Sequence, residues 1–146
     1  MNYLCFLLLT FLLPDTNTSD HWMDNYSSAH EESVRTNKPV LIYFSGSDWC
    51  KPCILLSKEA LDKQEFLAYA EENLILVKAD FPRMKKNRLP KDLQLHNETL
   101  AEKYNKQGEF PLLVLVGPNE NILYRSGYTQ GGAQYYIDHL NSVINP

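Results

Sequence analysis

Three short apolar runs punctuate the chain. Residues 40–44 (VLIYF) combine β-branched and aromatic side chains without a polar interruption, which predicts a strand buried on both faces. Residues 74–79 (LILVKA) and 112–116 (LLVLV) repeat the pattern, and the last is the most apolar. Residues 121–126 follow across the turn Gly117-Pro118-Asn119-Glu120, so these last two runs predict a hairpin. Between the runs, apolar positions return at helical spacing. Tyr26, Ala29 and Val34 mark a first helix over 24–37, stopped by Lys38-Pro39. Ile54, Leu55, Ala60 and Leu61, then Phe66, Leu67 and Ala70, mark a second with a bend near Asp62. Asn97 can cap a third over 97–105, with Leu100, Ala101 and Tyr104 on one face. Tyr136, Ile137, Leu140 and Ile144 mark a fourth over 133–144. Residues 81–96 hold two prolines and no period, and read as one long loop. The predicted order is α-β-α-β-α-β-β-α, one α/β domain over 24–146.

The first segment reads as an address. Residues 3–13 (YLCFLLLTFLL) are uncharged and leucine-rich, of signal-peptide length and too short to span a bilayer. Pro14 and the polar DTNTSD open a cleavage region between Asp15 and Asp20. The expectation is a signal peptide over 1–19, hence a periplasmic or secreted protein. A buried N-terminal helix and an uncleaved anchor are the alternatives. Cys5 leaves with the signal, so the mature chain keeps Cys50 and Cys53 in a compartment where disulfides persist.

Charge and cysteine count narrow the function. With 14 basic against 18 acidic residues, the net charge is −4, which argues against a nucleic-acid partner. Three cysteines are too few to staple a core-less mini-protein. Nothing in the sequence demands more than a monomer.

Trp49-Cys50-Lys51-Pro52-Cys53 follows a predicted strand and opens a predicted helix, which is a redox geometry. A helix N-terminus presents unpaired N–H groups and partial positive charge, and these stabilise a thiolate at Cys50. Cys53 lies nearly one turn on, placed to resolve a mixed disulfide. Lys51 adds positive charge beside the nucleophile. Pro52 occupies the first turn, where its missing N–H costs nothing, and stiffens the dithiol. Trp49 forms an apolar shoulder. Half a zinc site is the competing reading, but His21, His30, His96 and His139 are scattered and none pairs at ligand spacing.

The W-C-K-P-C motif resembles the active site of the thioredoxin superfamily, and the resemblance runs from about Asn37 onward. FSGSDWCKPC, ADFPR and the long insertion before the third helix are similar to exported bacterial thioredoxin-like proteins. The resemblance implies a thioredoxin-like fold with a mixed four-stranded sheet flanked by helices. It implies that Phe110-Pro111 is the family's cis-proline loop, which holds substrate backbone beside the disulfide. It implies thiol–disulfide exchange through Cys50 and Cys53, with protein disulfides as substrates and no metal or organic cofactor beyond that pair. A redox partner that donates or accepts electrons follows, such as a membrane thiol reductase. An isomerase or oxidase, and a non-catalytic module that binds protein or a soft metal, remain open.

Several positions depart from thioredoxin. Tyr43 aligns with the family's buried Asp, while Lys78 matches the Lys beside it. Asp48 and Asp80 are then candidate proton acceptors for Cys53, or ordinary turn and strand-end carboxylates. Lys51 replaces the family's Gly and predicts a potential above roughly −270 mV and below about −120 mV. Phe110 and Leu112 flank Pro111 where the family often has smaller residues. The insertion 83–91 carries Arg83, Lys85, Lys86, Arg88 and Lys91. Its pattern weighs toward a solvated loop over a docking surface for an acidic partner. Asn17, Asn25 and Asn97 fit a glycosylation pattern that matters only in a eukaryotic secretory route.

Overall fold

A computed structural model of the chain describes residues 21–146. Residues 3–13, Cys5 and the expected cleavage region lie outside the described residues. The elements run β1 (Trp22–Met23), α1 (Tyr26–Thr36), β2 (Val40–Ser45), α2 (Lys51–Leu56), α3 (Gln64–Asn73), β3 (Ile75–Asp80), α4 (Lys91–Tyr104), β4 (Leu112–Val116), β5 (Ile122–Ser126) and α5 (Gly132–Ile144). The sheet order is β1-β3-β2-β4-β5. Central β2 pairs parallel with β3, Ile42 opposite Val77, and antiparallel with β4, Ile42 opposite Val114.

The apolar run of β2 is uninterrupted because helices cover both faces of the sheet. Alternation then divides it. Leu41 and Tyr43 point to a core with Leu56, Phe66 and Leu140. Val40, Ile42 and Phe44 point to the opposite core with Ala29, Leu100, Tyr104 and Val114. Phe110, whose ring meets Trp49 of the cysteine motif, packs against both cores.

The structure corrects the sequence reading in three places. The sheet has five strands, because Trp22–Met23 pairs parallel with Leu76 and Val77. This short strand covers the outer edge of β3, which would otherwise present unpaired backbone groups, and Trp22 packs on the Tyr43 ring at 5.8 Å. Helix α4 starts at Lys91, directly after Pro90, so the end of the expected loop is helical. Asn97 therefore caps nothing. It is 1% exposed inside α4, where its Nδ2 donates to the Asp80 carbonyl at 3.0 Å and its Oδ1 accepts from His96 Nδ1 at 2.9 Å. The bend near Asp62 is present: a π-helical turn, Ser57–Leu61, ends there and α3 restarts at Gln64.

Candidate active site

Strand β2 ends at Ser45, and four residues turn the chain back into α2. The Gly46 carbonyl accepts the N–H groups of Trp49 (3.2 Å) and Cys50 (2.9 Å), which closes that turn. Only glycine fits at 46, because a Cβ there would overlap the Trp49 indole. Cys50 is the N-cap of α2, with extended φ/ψ of −92° and 98°, and its Sγ accepts the Cys53 N–H at 3.3 Å. Pro52 sits in the first turn, as predicted. Cys50 and Cys53 form a disulfide with their Cα atoms 5.2 Å apart. The Gly46 N–H points at Cys53 Sγ from 3.5 Å. Cys50 keeps 4% exposure and Cys53 none. Lys51 and Pro52 are exposed on the outer side of the turn.

An aromatic wall stands beside the pair. The rings of Trp49 and Phe110 meet edge-on at 5.4 Å, and Phe110 meets Phe81 at 5.3 Å. The Phe110–Pro111 peptide is cis, and Pro111 is buried. The structure thus brings together Trp49, Cys50, Cys53, Phe110 and Pro111 from two separate segments. Trp49 Nε1 donates to the Phe81 carbonyl at 2.7 Å, and the Arg83 guanidinium lies 3.7 Å over the Trp49 ring. Sequence reasoning missed Phe81, which looks like any loop aromatic until Trp49 and Phe110 close on it.

Tyr43 does not reproduce an acid. Its hydroxyl donates to the Cys53 carbonyl at 2.8 Å and lies 3.3 Å from Ser57 Oγ. Burial pushes the phenol above its ordinary value of 10, so it stays protonated and acts as a donor at neutral pH. Asp80 accepts the Ser47 N–H at 2.9 Å and the Ser47 hydroxyl at 2.5 Å. Asp48 accepts the N–H groups of Arg83 and Met84, both at 2.9 Å, and Asn87 Nδ2 at 3.0 Å. These bonds, Arg83's first, hold the Asp48 carboxyl below its ordinary value. Both carboxylates are tied into loops. Cys53 borders a polar cavity of about 290 Å³ shared with Ser57, Asp62 and Lys78. Lys78 was anticipated there; Asp62 gave no sequence signal beyond the helix bend. Among the described residues, no three His, Cys, Asp or Glu side chains gather as a metal-binding group.

Known proteins resemble this chain in sequence and fold. Residues 21–118 match the Thioredoxin-like family. The chain is 34% identical over 121 residues to the disulfide bond reductase DsbH of Chlamydia pneumoniae, covering 83% of this chain and 71% of that protein. A solved structure of a DsbH oxidoreductase superposes with a TM-score of 0.77 at 34% identity, over 84% of this chain and 83% of that one. A disulphide isomerase from Xylella fastidiosa Temecula1 shares the fold at 23% identity, with a TM-score of 0.60 over 90% of this chain and 96% of that one. With a redox-competent pair at the start of α2 and these relatives, the chain belongs to the thioredoxin-like family and is a thiol–disulfide oxidoreductase whose redox group is its own Cys50–Cys53 disulfide.

Proposed function

We propose that the protein works as a reductase of protein disulfides, with Cys50 as nucleophile and Cys53 as resolving thiol. The observation that carries this reading is the asymmetry of the pair: Cys50 keeps 4% exposure where Cys53 has none, and Trp49 and Phe110 pack against the same core. The similarity to a disulfide bond reductase supports the direction. The Cys50 thiolate attacks one sulfur of a substrate disulfide, that S–S bond breaks, and the second substrate sulfur leaves as a thiolate. Cys53 loses its proton and attacks the Cys50 sulfur. The mixed disulfide breaks, and the first substrate sulfur leaves as a thiolate. Two electrons pass to the substrate and the Cys50–Cys53 disulfide forms. A donor dithiol protein, such as a membrane thiol reductase, reverses the change by the same exchange.

The remaining roles belong to this proposal. Trp49, Phe110 and Pro111 hold the substrate strand against Cys50. Lys51 and Pro52 favour the thiolate, through charge and through a stiff first turn. The leucine-rich residues 3–13 direct the chain to an exported compartment.

The test is Cys53→Ser together with a redox titration of the intact pair. The variant should trap substrates as mixed disulfides on Cys50, and Cys50→Ser should trap none. Titration against thiol buffers should give a potential above roughly −270 mV and well below −180 mV. A value near −180 mV or higher would replace the reductase with an isomerase or oxidase. A pair that never oxidises would leave a binding or metal-handling module.

A further inference from the structure

We infer that the basic segment 83–91 and the cavity beside Trp49 form a docking surface for acidic polypeptide, so that the protein prefers disulfides flanked by an apolar and an acidic residue. The inference rests on the exchange reading above and names its substrate class.

The charge distribution gives the first argument. Arg83, Lys85, Lys86, Arg88 and Lys91 are five of the chain's 14 cations, and residues 81–91 contain no acid. All five are exposed. The ion pairs among the described residues use Arg35, Lys103 and Arg125 instead. Unpaired like charges held together in a chain of net charge −4 create a local positive field that a partner's carboxylates relieve.

Fixation gives the second. A solvated loop would lose its freedom on docking, at an entropic cost. This segment is already held. Asp48 takes three of its donors, the Phe81 carbonyl accepts from Trp49, and Arg83 stacks on the Trp49 ring. The residue before the active-site tryptophan thus anchors the basic segment to the redox turn.

Placement gives the third. A cavity of about 490 Å³ lies between the segment and the aromatic wall, lined by Trp49, Phe81, Met84 and Phe110 with Arg83 and Arg88. That volume accepts a large apolar side chain. Asp80 and Glu98 also border it. Both carboxylates repel an acid, so the acidic residue of the partner belongs on the arginine side. An anionic membrane would touch the exposed cations and leave this cavity unused.

The experiment compares three synthetic peptides of one length, each with one intrachain disulfide flanked by Leu-Glu, Leu-Gln or Leu-Lys. Their second-order rates of reduction by the dithiol form of the whole protein are measured. The Glu peptide should react about tenfold faster than the Gln peptide at low salt, and the Lys peptide should be slowest. The preference should shrink in about 0.5 M salt, where screening acts over a few ångströms. Arg88→Glu should abolish or invert it. Lys63→Glu, the same charge change at an exposed position before α3, should retain it. Equal rates for all three peptides overturn the inference while leaving the exchange reading intact. So does a Lys63→Glu effect as large as that of Arg88→Glu. Equal peptide rates with Arg88-dependent binding to phosphatidylglycerol vesicles would reassign the segment to a membrane. If no peptide is reduced, the exchange reading falls and this inference falls with it.

Discussion

Tyr43→Phe tests whether the residue standing at the family's acid position is structural. The substitution keeps the ring, its packing against Trp22 and its place in the core, and removes only the hydroxyl. The lost bonds are one good contact to the Cys53 carbonyl at 2.8 Å and one longer contact to Ser57 Oγ at 3.3 Å. A net intramolecular hydrogen bond contributes about 0.5–1.5 kcal/mol, and an orphaned buried partner costs about 1–3 kcal/mol. The orphan cost does not arise here. The Cys53 carbonyl still accepts the Ser57 N–H, and the Ser57 hydroxyl borders the polar cavity where water can reach it. The expected loss is therefore about 1 kcal/mol, or a fall in Tm of roughly 3–5 °C for a domain of this size.

Urea unfolding of the oxidised protein, followed by Trp fluorescence, measures it. Tyr43→Ala is the reference, since it also opens a ring-sized cavity and should cost about 3–5 kcal/mol. The phenol donates to the Cys53 backbone carbonyl and not to its sulfur, so the rate at which Cys53 resolves a mixed disulfide should stay within about twofold. A Tyr43→Phe loss matching that of Tyr43→Ala would refute the bond accounting. A tenfold slower resolution step with unchanged stability would refute the structural role and make the phenol part of the proton path.

The pinning of the basic segment should depend on pH. Asp48 is held below its ordinary value of 3.8, so its contribution is fully present above that value and is lost as pH falls through the lowered one. Protection of the Arg83 and Met84 amides relative to their intrinsic exchange rates, read by NMR, should be lost as pH falls below 3.8, and Asp48→Ala should lack it at every pH. Gly46→Ala drives a Cβ into the Trp49 indole and should cost about 1–3 kcal/mol in chemical unfolding; a neutral result would mean the turn relaxes freely. Asn97→Leu leaves the Asp80 carbonyl without its side-chain donor and should destabilise by about 1–3 kcal/mol, measured in the same way. Lys51→Gln should move the redox potential by less than about 20 mV, because its charge is exposed and screened.

The sequence made the centre of the molecule legible and its margins less so. Strands β2, β3 and β4 are dense apolar runs because both faces of the sheet are covered, and such runs stand out in any polar context. Strand β1 has two residues, too few to carry a period, and exists because β3 needs an edge partner. The first turns of α4 were hidden for a related reason. Leu95 is 64% exposed, so the apolar spacing that marks a helix is missing where that helix leaves the core. At the site, Cys50 and Cys53 were legible because their motif is local, and Phe110-Pro111 only through the family resemblance. The tie of Asp48 to Arg83 and the ring contact of Phe81 with Phe110 join segments about 30 residues apart. Contacts of that kind follow from tertiary packing and leave no mark in local spacing.

The geometry also weighs the two ways this site can hold a thiolate. One is the charge of Lys51, which stands exposed outside the turn. A surface charge pair contributes about 0–1 kcal/mol and weakens with salt. The other is the backbone. The Cys53 N–H aims at the Cys50 sulfur and the Gly46 N–H at the Cys53 sulfur, both from buried positions. Donors to an ionised partner contribute about 1.5–3 kcal/mol, and here they already stand within reach of the sulfurs. The backbone therefore outweighs the side chain. Gly46 and Trp49 set the turn that aims those donors, while Asp48 ties the same turn to the basic segment. The four residues between β2 and Cys50 consequently tie the backbone donors at the sulfurs to the anchoring of the basic segment.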